Sequence, residues 1–185
     1  MFWGLSAESW KWILSILSSM TPLLTASVLI VTLRLTKSLK RAEITNEFNR
    51  RFDALTEFAH SIEIKALEKG IAQQSPSGID NKSMISYYRR YFNLQFDQFV
   101  AYQSGLVERP MFEYWMLSRA REFISPDATV AGMSYRAAWK HFDKNPLWIH
   151  HPFNEFMSKV HKGEAEALAA VRGLRGRWLK RKLGV

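Results

Sequence analysis

The chain has no cysteine. Without thiols it forms no disulfide and holds no zinc on thiolates, so a small cross-linked extracellular domain is excluded. Glycine is sparse, with nine in 185 residues, and none lies in a glycine-rich phosphate loop. Acid is short as well. Seventeen Asp and Glu stand against 26 Lys and Arg, giving a formal net charge of +9 and a pI near 9.9. That imbalance suits an anionic partner, either nucleic acid or the anionic face of a membrane. No internal repeat and no period-two strand pattern is present, so the elements to expect are helices.

Aromatic residues are plentiful, at 14% of the chain, and 47% is hydrophobic. A chain this rich in large apolar groups folds, because disorder requires few of them. Its 185 residues hold one modest domain plus an anchor. Mean hydropathy is only −0.20, so most of the chain is not lipid-embedded.

The anchor is the stretch WILSILSSMTPLLTASVLIVTL, residues 12–33, which contains no charge and is bounded by Lys11 and Arg34. A helix of this length crosses the roughly 30 Å hydrocarbon core of a bilayer. Its hydroxyl residues dilute the hydrophobicity but bond back to the preceding turn. Pro22 is a candidate kink. Trp3, Trp10 and Trp12 stand where an interfacial aromatic belt lies. Two other readings compete: a cleaved signal peptide and the buried helix of a soluble domain. The apolar run is longer than a signal's, and only Lys11 precedes it. Arg34, Lys37, Lys40 and Arg41 follow the span, then Arg50 and Arg51. Positive flanks stay inside, which places residues 1–11 outside, a span at 12–34, and the rest in the cytoplasm.

Beyond the span, Leu35, Leu39, Ala42, Ile44, Phe48, Phe52, Leu55, Ala59, Ile62 and Ala66 recur at helical spacing. This predicts one long amphipathic helix over 35–70, ending near Lys69 with Gly70 as its stop. The face suits packing against later helices; a seam between two copies is the alternative. Residues 73–83 read as a loop. A helix from Met84 to Ser104 presents Ile85, Tyr88, Phe92, Phe96 and Phe99, with Tyr87, Tyr91 and Tyr102 beside them. Gly105 stops it, and Pro110 opens a third helix with Phe112, Trp115, Met116 and Arg119 on its buried side. These two helices form a hairpin with Trp115 opposite Phe99 or Phe96. Ser125-Pro126-Asp127 breaks the third helix and caps another start. A fourth helix runs over Ser134–Phe142, and a fifth starts at His151-Pro152 and ends near Val160. The Ala- and Glu-rich stretch EAEALAAVRGL continues as helix, and the helical domain is placed at 84–170.

Catalytic and metal chemistry find little support. His141, His150, His151 and His161 are spaced by nine, one and ten, whereas helical metal ligands need steps of three or four. His150-His151-Pro152 instead suits a turn and a helix start. Glu43 with Glu47 and Glu164 with Glu166 lie among basic residues and read as solvated ion pairs. No strand–turn–helix elbow presents a serine. No catalytic residue, metal or cofactor is indicated. The basic tail at 171–185 carries Arg172, Arg175, Arg177, Lys180, Arg181 and Lys182 with Trp178, and no acid follows Glu166. Such a tail suits an anionic membrane surface, with nucleic acid as the competing partner and a solvated, partly disordered tail that binds nothing as the third reading.

The segments TNEFNRRFDAL and YYRRYFNLQFDQFVAYQSGLVERPMFEYWMLSRAREF carry a resemblance. Over residues 10–125 the chain resembles small bacterial single-span membrane proteins bearing a domain of unknown function. They share the span, the basic juxtamembrane helix and an aromatic helix closed by a Gly-plus-aliphatic turn, here Ser104-Gly105-Leu106-Val107, then Glu108 and Trp115. The resemblance implies a bacterial inner-membrane location and no activity.

The expected fold is therefore mainly α, one N-terminal transmembrane helix followed by a cytoplasmic helical bundle. The expected membrane contacts are Trp10, Trp12, Arg34, Lys37, Lys40, Arg41, Arg175, Arg177, Trp178, Lys180, Arg181 and Lys182. Expected partners are the bilayer, anionic headgroups, and a protein or a second copy. The leading function is a non-enzymatic interaction or regulatory module; a nucleotide- or nucleic-acid-binding effector and an unfamiliar enzyme are the alternatives.

Overall fold

Helical spacing dominates the sequence, and helices dominate the fold. The computed structural model describes residues 7–68, 81–142 and 151–183. Among them six helices follow in order: α1 (Ala7–Glu68), α2 (Asn81–Gln103), α3 (Arg109–Ile124), α4 (Tyr135–Phe142), α5 (Pro152–Val160) and α6 (Glu164–Leu183). The chain divides into two units between Glu43 and Ile44.

In the first unit α1 runs unbroken across Pro22. It is the one described helix long and apolar enough to cross a membrane, and its apolar window is covered by no other described part of the protein. Leu23, Leu24, Val28 and Leu33 are all exposed. The hydroxyls bond to their own helix. Ser27 Oγ donates to the Leu23 carbonyl at 2.8 Å, Thr32 Oγ1 to Val28 at 2.8 Å, and Thr25 Oγ1 to Thr21 at 2.9 Å. Each is thus satisfied without water, as an apolar medium requires.

The second unit is built around α2. A helix apolar nearly all round belongs in a core. Met84, Tyr88, Phe92, Leu94 and Phe99 are fully buried, while Lys82, Arg89, Arg90, Asn93 and Val100 are exposed. Phe92 meets Trp139 of α4 edge-on at 5.0 Å, and Phe99 meets Phe156 of α5 at 5.0 Å. From α1, Phe48, Leu55, Ile62 and Ala66 enter the interior of the same unit, which settles that face in favour of intramolecular packing. Leu35 and Leu39, read from the sequence as the start of that face, are instead exposed at 59% and 71%.

Local chemistry sets the helix ends. After α2, Gly105 takes φ +71°, its N–H bonds the Tyr102 carbonyl, and the Leu106 N–H reaches back to Ala101. This paired closure needs a left-handed residue, which glycine supplies without a Cβ clash. Pro110 lies in the first turn of α3. At α5 the His151 Nδ1 accepts from the Phe153 N–H at 3.1 Å, and Pro152 follows as the first helical residue.

Four expectations need correcting. Residues 81–83 belong to α2 rather than to a loop; 73–80, with Lys69 and Gly70, lie outside the described residues. Trp115 does not face Phe96 or Phe99; it meets Phe48 of α1 edge-on at 5.7 Å, while Phe112 stacks on Tyr102 at 4.2 Å to hold the α2–α3 hairpin. Ser125-Pro126-Asp127 ends α3 but caps no helix. A small antiparallel hairpin follows, strands β1 (Thr129–Val130) and β2 (Met133–Ser134), turning on Ala131 and Gly132, both at positive φ. Ser134 then caps α4, its Oγ accepting from the Ala137 N–H at 3.2 Å. Finally, the helix read over EAEALAAVRGL runs on as α6 to Leu183, and Val171 and Leu174, assigned to the basic tail, are core residues.

Candidate functional site

Two places concentrate polar chemistry, one in each unit. In the first unit it is the end of the apolar run. Trp10 and Trp12 are exposed at 48% and 73%, and Arg34, Lys37 and Lys40 are exposed while Arg41 is half-buried. For Arg175, Arg177, Trp178, Lys180, Arg181 and Lys182 the helical backbone of α6 is described, and their side chains lie outside the described residues.

In the second unit the polar groups turn inward. Arg119 projects from α3 into the core, 5% exposed, where an unpaired guanidinium would be costly. Its partners converge from other turns and helices. Arg119 Nη1 donates to both carboxylate oxygens of Glu122, at 2.9 and 2.8 Å, and to the Tyr91 hydroxyl at 3.2 Å. Tyr91 Oη in turn donates to Glu122. The guanidinium sits 4.3 Å from the centre of the Phe52 ring of α1 and 5.1 Å from the Tyr91 ring. Tyr87 and Tyr135 share a hydroxyl hydrogen bond at 2.8 Å, and Tyr88 donates to the Met133 carbonyl of β2. The node therefore ties α1, α2, α3, β2 and α4 together.

The phenols of this node are held neutral. Burial pushes the Tyr87 hydroxyl up to about 12, and burial lifts Tyr88, Tyr91 and Tyr135 further above the usual phenol range. Burial alone would lower the Arg119 pKa; attraction to Tyr91 and Glu122, with their hydrogen bonds, raises it above its ordinary value. Neutral phenols around a permanent cation offer neither a base nor a nucleophile near neutral pH.

The histidines are dispersed. His151 caps α5, and His141 is exposed on α4. His150 lies outside the described residues. His161 stacks on Phe123 with centroids 3.4 Å apart and stands edge-on to Trp139 at 4.8 Å. Among the described residues no three His, Asp or Glu side chains gather as a metal site. Desolvation, aided by the Arg136 charge, lowers His161 to about 3 from its usual 6.5. A depressed imidazole leaves stability intact above pH 6.5 and removes it as pH falls toward the folded value. The chain should lose about 1–2 kcal/mol between pH 7 and 5, the ring's partly open rim limiting the effect. Melting curves at both pH values, for the native chain and His161→Phe, test this; an equal pH dependence in the two contradicts it.

Several acidic residues at the surface are engaged in ion pairs. Glu47 stands 3.9 Å from Arg50, and Glu164 takes Arg121 in two bonds at 2.8 and 3.1 Å. Hydrogen bonding to Arg121 holds the Glu164 carboxyl below its ordinary value. Sequence reasoning placed Arg119 on the buried side of α3 but missed the partners that let it stay there. A charge on an apolar stripe with Glu122 three residues on was the available signal. No family model matches the chain. No curated protein or solved structure matches it either.

Proposed function

We propose that the protein is a non-enzymatic interaction or regulatory module held at a membrane by residues 12–34. The N-terminal residues lie outside, and the helical unit stands at the cytoplasmic face of a bacterial inner membrane, as the resemblance to small single-span proteins also suggests. The observation that carries this reading is the change of character at Leu33. An uncovered apolar run with self-bonded hydroxyls gives way at once to Arg34, Lys37, Lys40 and Arg41. The interaction reading is supported by the second unit, where Arg119, Tyr91 and Glu122 bond to one another inside the core. Partners are a protein or a second copy, alongside lipid.

The test is fractionation of the full chain beside Leu24→Asp/Val28→Asp. Each aspartate in mid-span costs about 2.5–3.5 kcal/mol of insertion. The native chain should stay with membranes through a high-salt wash and leave them only in detergent, while the variant should shift to the soluble fraction. A native chain recovered in the soluble fraction overturns the anchor. Gentle solubilisation that recovers a stoichiometric protein supports the interaction module. Salt-sensitive nucleic-acid binding, or turnover of a metabolite, overturns it in favour of an effector or an enzyme.

A further inference from the structure

The charges along α1 fall into two classes. Arg50 and Arg51 find acids within the protein: Arg50 pairs with Glu47, and Arg51 with Asp97 of α2 at 2.7 Å. Between Glu8 and Glu43 acid is missing from the helix itself, and the chain carries Lys11, Arg34, Lys37, Lys40 and Arg41 there. None of the described ion pairs involves Arg34, Lys37 or Lys40, and all three are exposed.

Their placement on the helix is not scattered. At 3.6 residues per turn, positions 40, 37, 41 and 34 fall within an arc of about 120° on one side of α1. Along the axis they cover about 10 Å, beginning one residue after the apolar run ends. That is close to the depth of a headgroup layer, roughly 5–8 Å on each side of the hydrocarbon core. Long basic side chains reach along such a layer to phosphate oxygens.

We propose that Arg34, Lys37 and Lys40 form a binding surface for the phosphate groups of anionic phospholipid in the leaflet that α1 leaves. Charge complementarity selects this occupant, since the surface offers three cations, no acid in the adjoining stretch of helix, and direct continuity with the apolar run. The proposal rests on the membrane reading of α1 and adds the class of lipid. Each basic residue near the surface contributes roughly a fivefold preference at low ionic strength, and salt weakens it.

The test uses the full chain in phosphatidylcholine vesicles containing a minor fraction of phosphatidylglycerol. Spin-labelled phosphatidylglycerol and phosphatidylcholine report which lipid the protein immobilises. The native chain should prefer phosphatidylglycerol by about fivefold or more. The preference should fall with added salt and disappear in Arg34→Gln/Lys37→Gln/Lys40→Gln, which still inserts. Equal immobilisation of the two lipids by the inserted native chain overturns the proposal, and so does a preference that the triple variant retains. A native chain that fails to insert overturns the membrane reading itself, a distinguishable result.

Discussion

Arg119→Ala should lower the stability of the helical unit by about 3 kcal/mol or more. The substitution takes from Glu122 the cation that bonds both its oxygens, in a setting where its side chain is only 25% exposed. It also removes the charge lying over the Phe52 ring of α1 and a donor to Tyr91. Removing one partner of a buried pair costs more than removing both, because the survivor keeps its desolvation cost without compensation. The double variant Arg119→Met/Glu122→Leu should therefore be milder than Arg119→Ala. Denaturant unfolding in detergent measures both; a single variant within about 1 kcal/mol of the native chain contradicts the account.

Trp115→Ala should cost about 3 kcal/mol, in the range for truncating a buried aromatic. Trp115 is 5% exposed, and its ring meets Phe48 at 88°. Phe48 is the first buried residue of α1 in the second unit, so the indole secures the point where that helix enters the core. The loss should be local before it is global. Hydrogen exchange should quicken at the amides of residues 44–52 more than at those of α5. An unchanged melting temperature contradicts the effect, and uniform exchange contradicts its location.

Much of the helical order was legible because each stop is written locally. Gly105 with Leu106, Pro110, and His151-Pro152 specify ends through backbone geometry that needs no tertiary context. The buried side of α3 was legible for the same reason, from its spacing. Partners across helices were not. Nothing in spacing says that Trp115 meets Phe48 rather than Phe99, since either contact would bury the indole. The β1–β2 hairpin was invisible because two-residue strands show no alternation, and Ala131-Gly132 is not a pair that strongly announces a tight turn. Leu35 and Leu39 continue the period of the α1 face, but periodicity alone does not say where cover ends. The charge composition of residues 171–185 hid the apolar pair Val171 and Leu174, which extends the core into the basic segment. The long apolar helix was legible from length and lack of charge, and its hydroxyls bond back to their own preceding turns.

The absence of native cysteine makes one measurement unusually direct, because any introduced thiol is the sole labelling site. Glu8→Cys reports the N-terminal side, and Tyr114→Cys reports an exposed position on α3, 68% accessible. Spheroplasts carrying either variant are treated with a membrane-impermeant maleimide before and after lysis. The account predicts that the Glu8→Cys variant labels in intact spheroplasts and that the Tyr114→Cys variant labels only after lysis. Labelling of the Tyr114→Cys variant in intact spheroplasts would place the helical unit outside and contradict both the orientation and the anchored cytoplasmic module built on it.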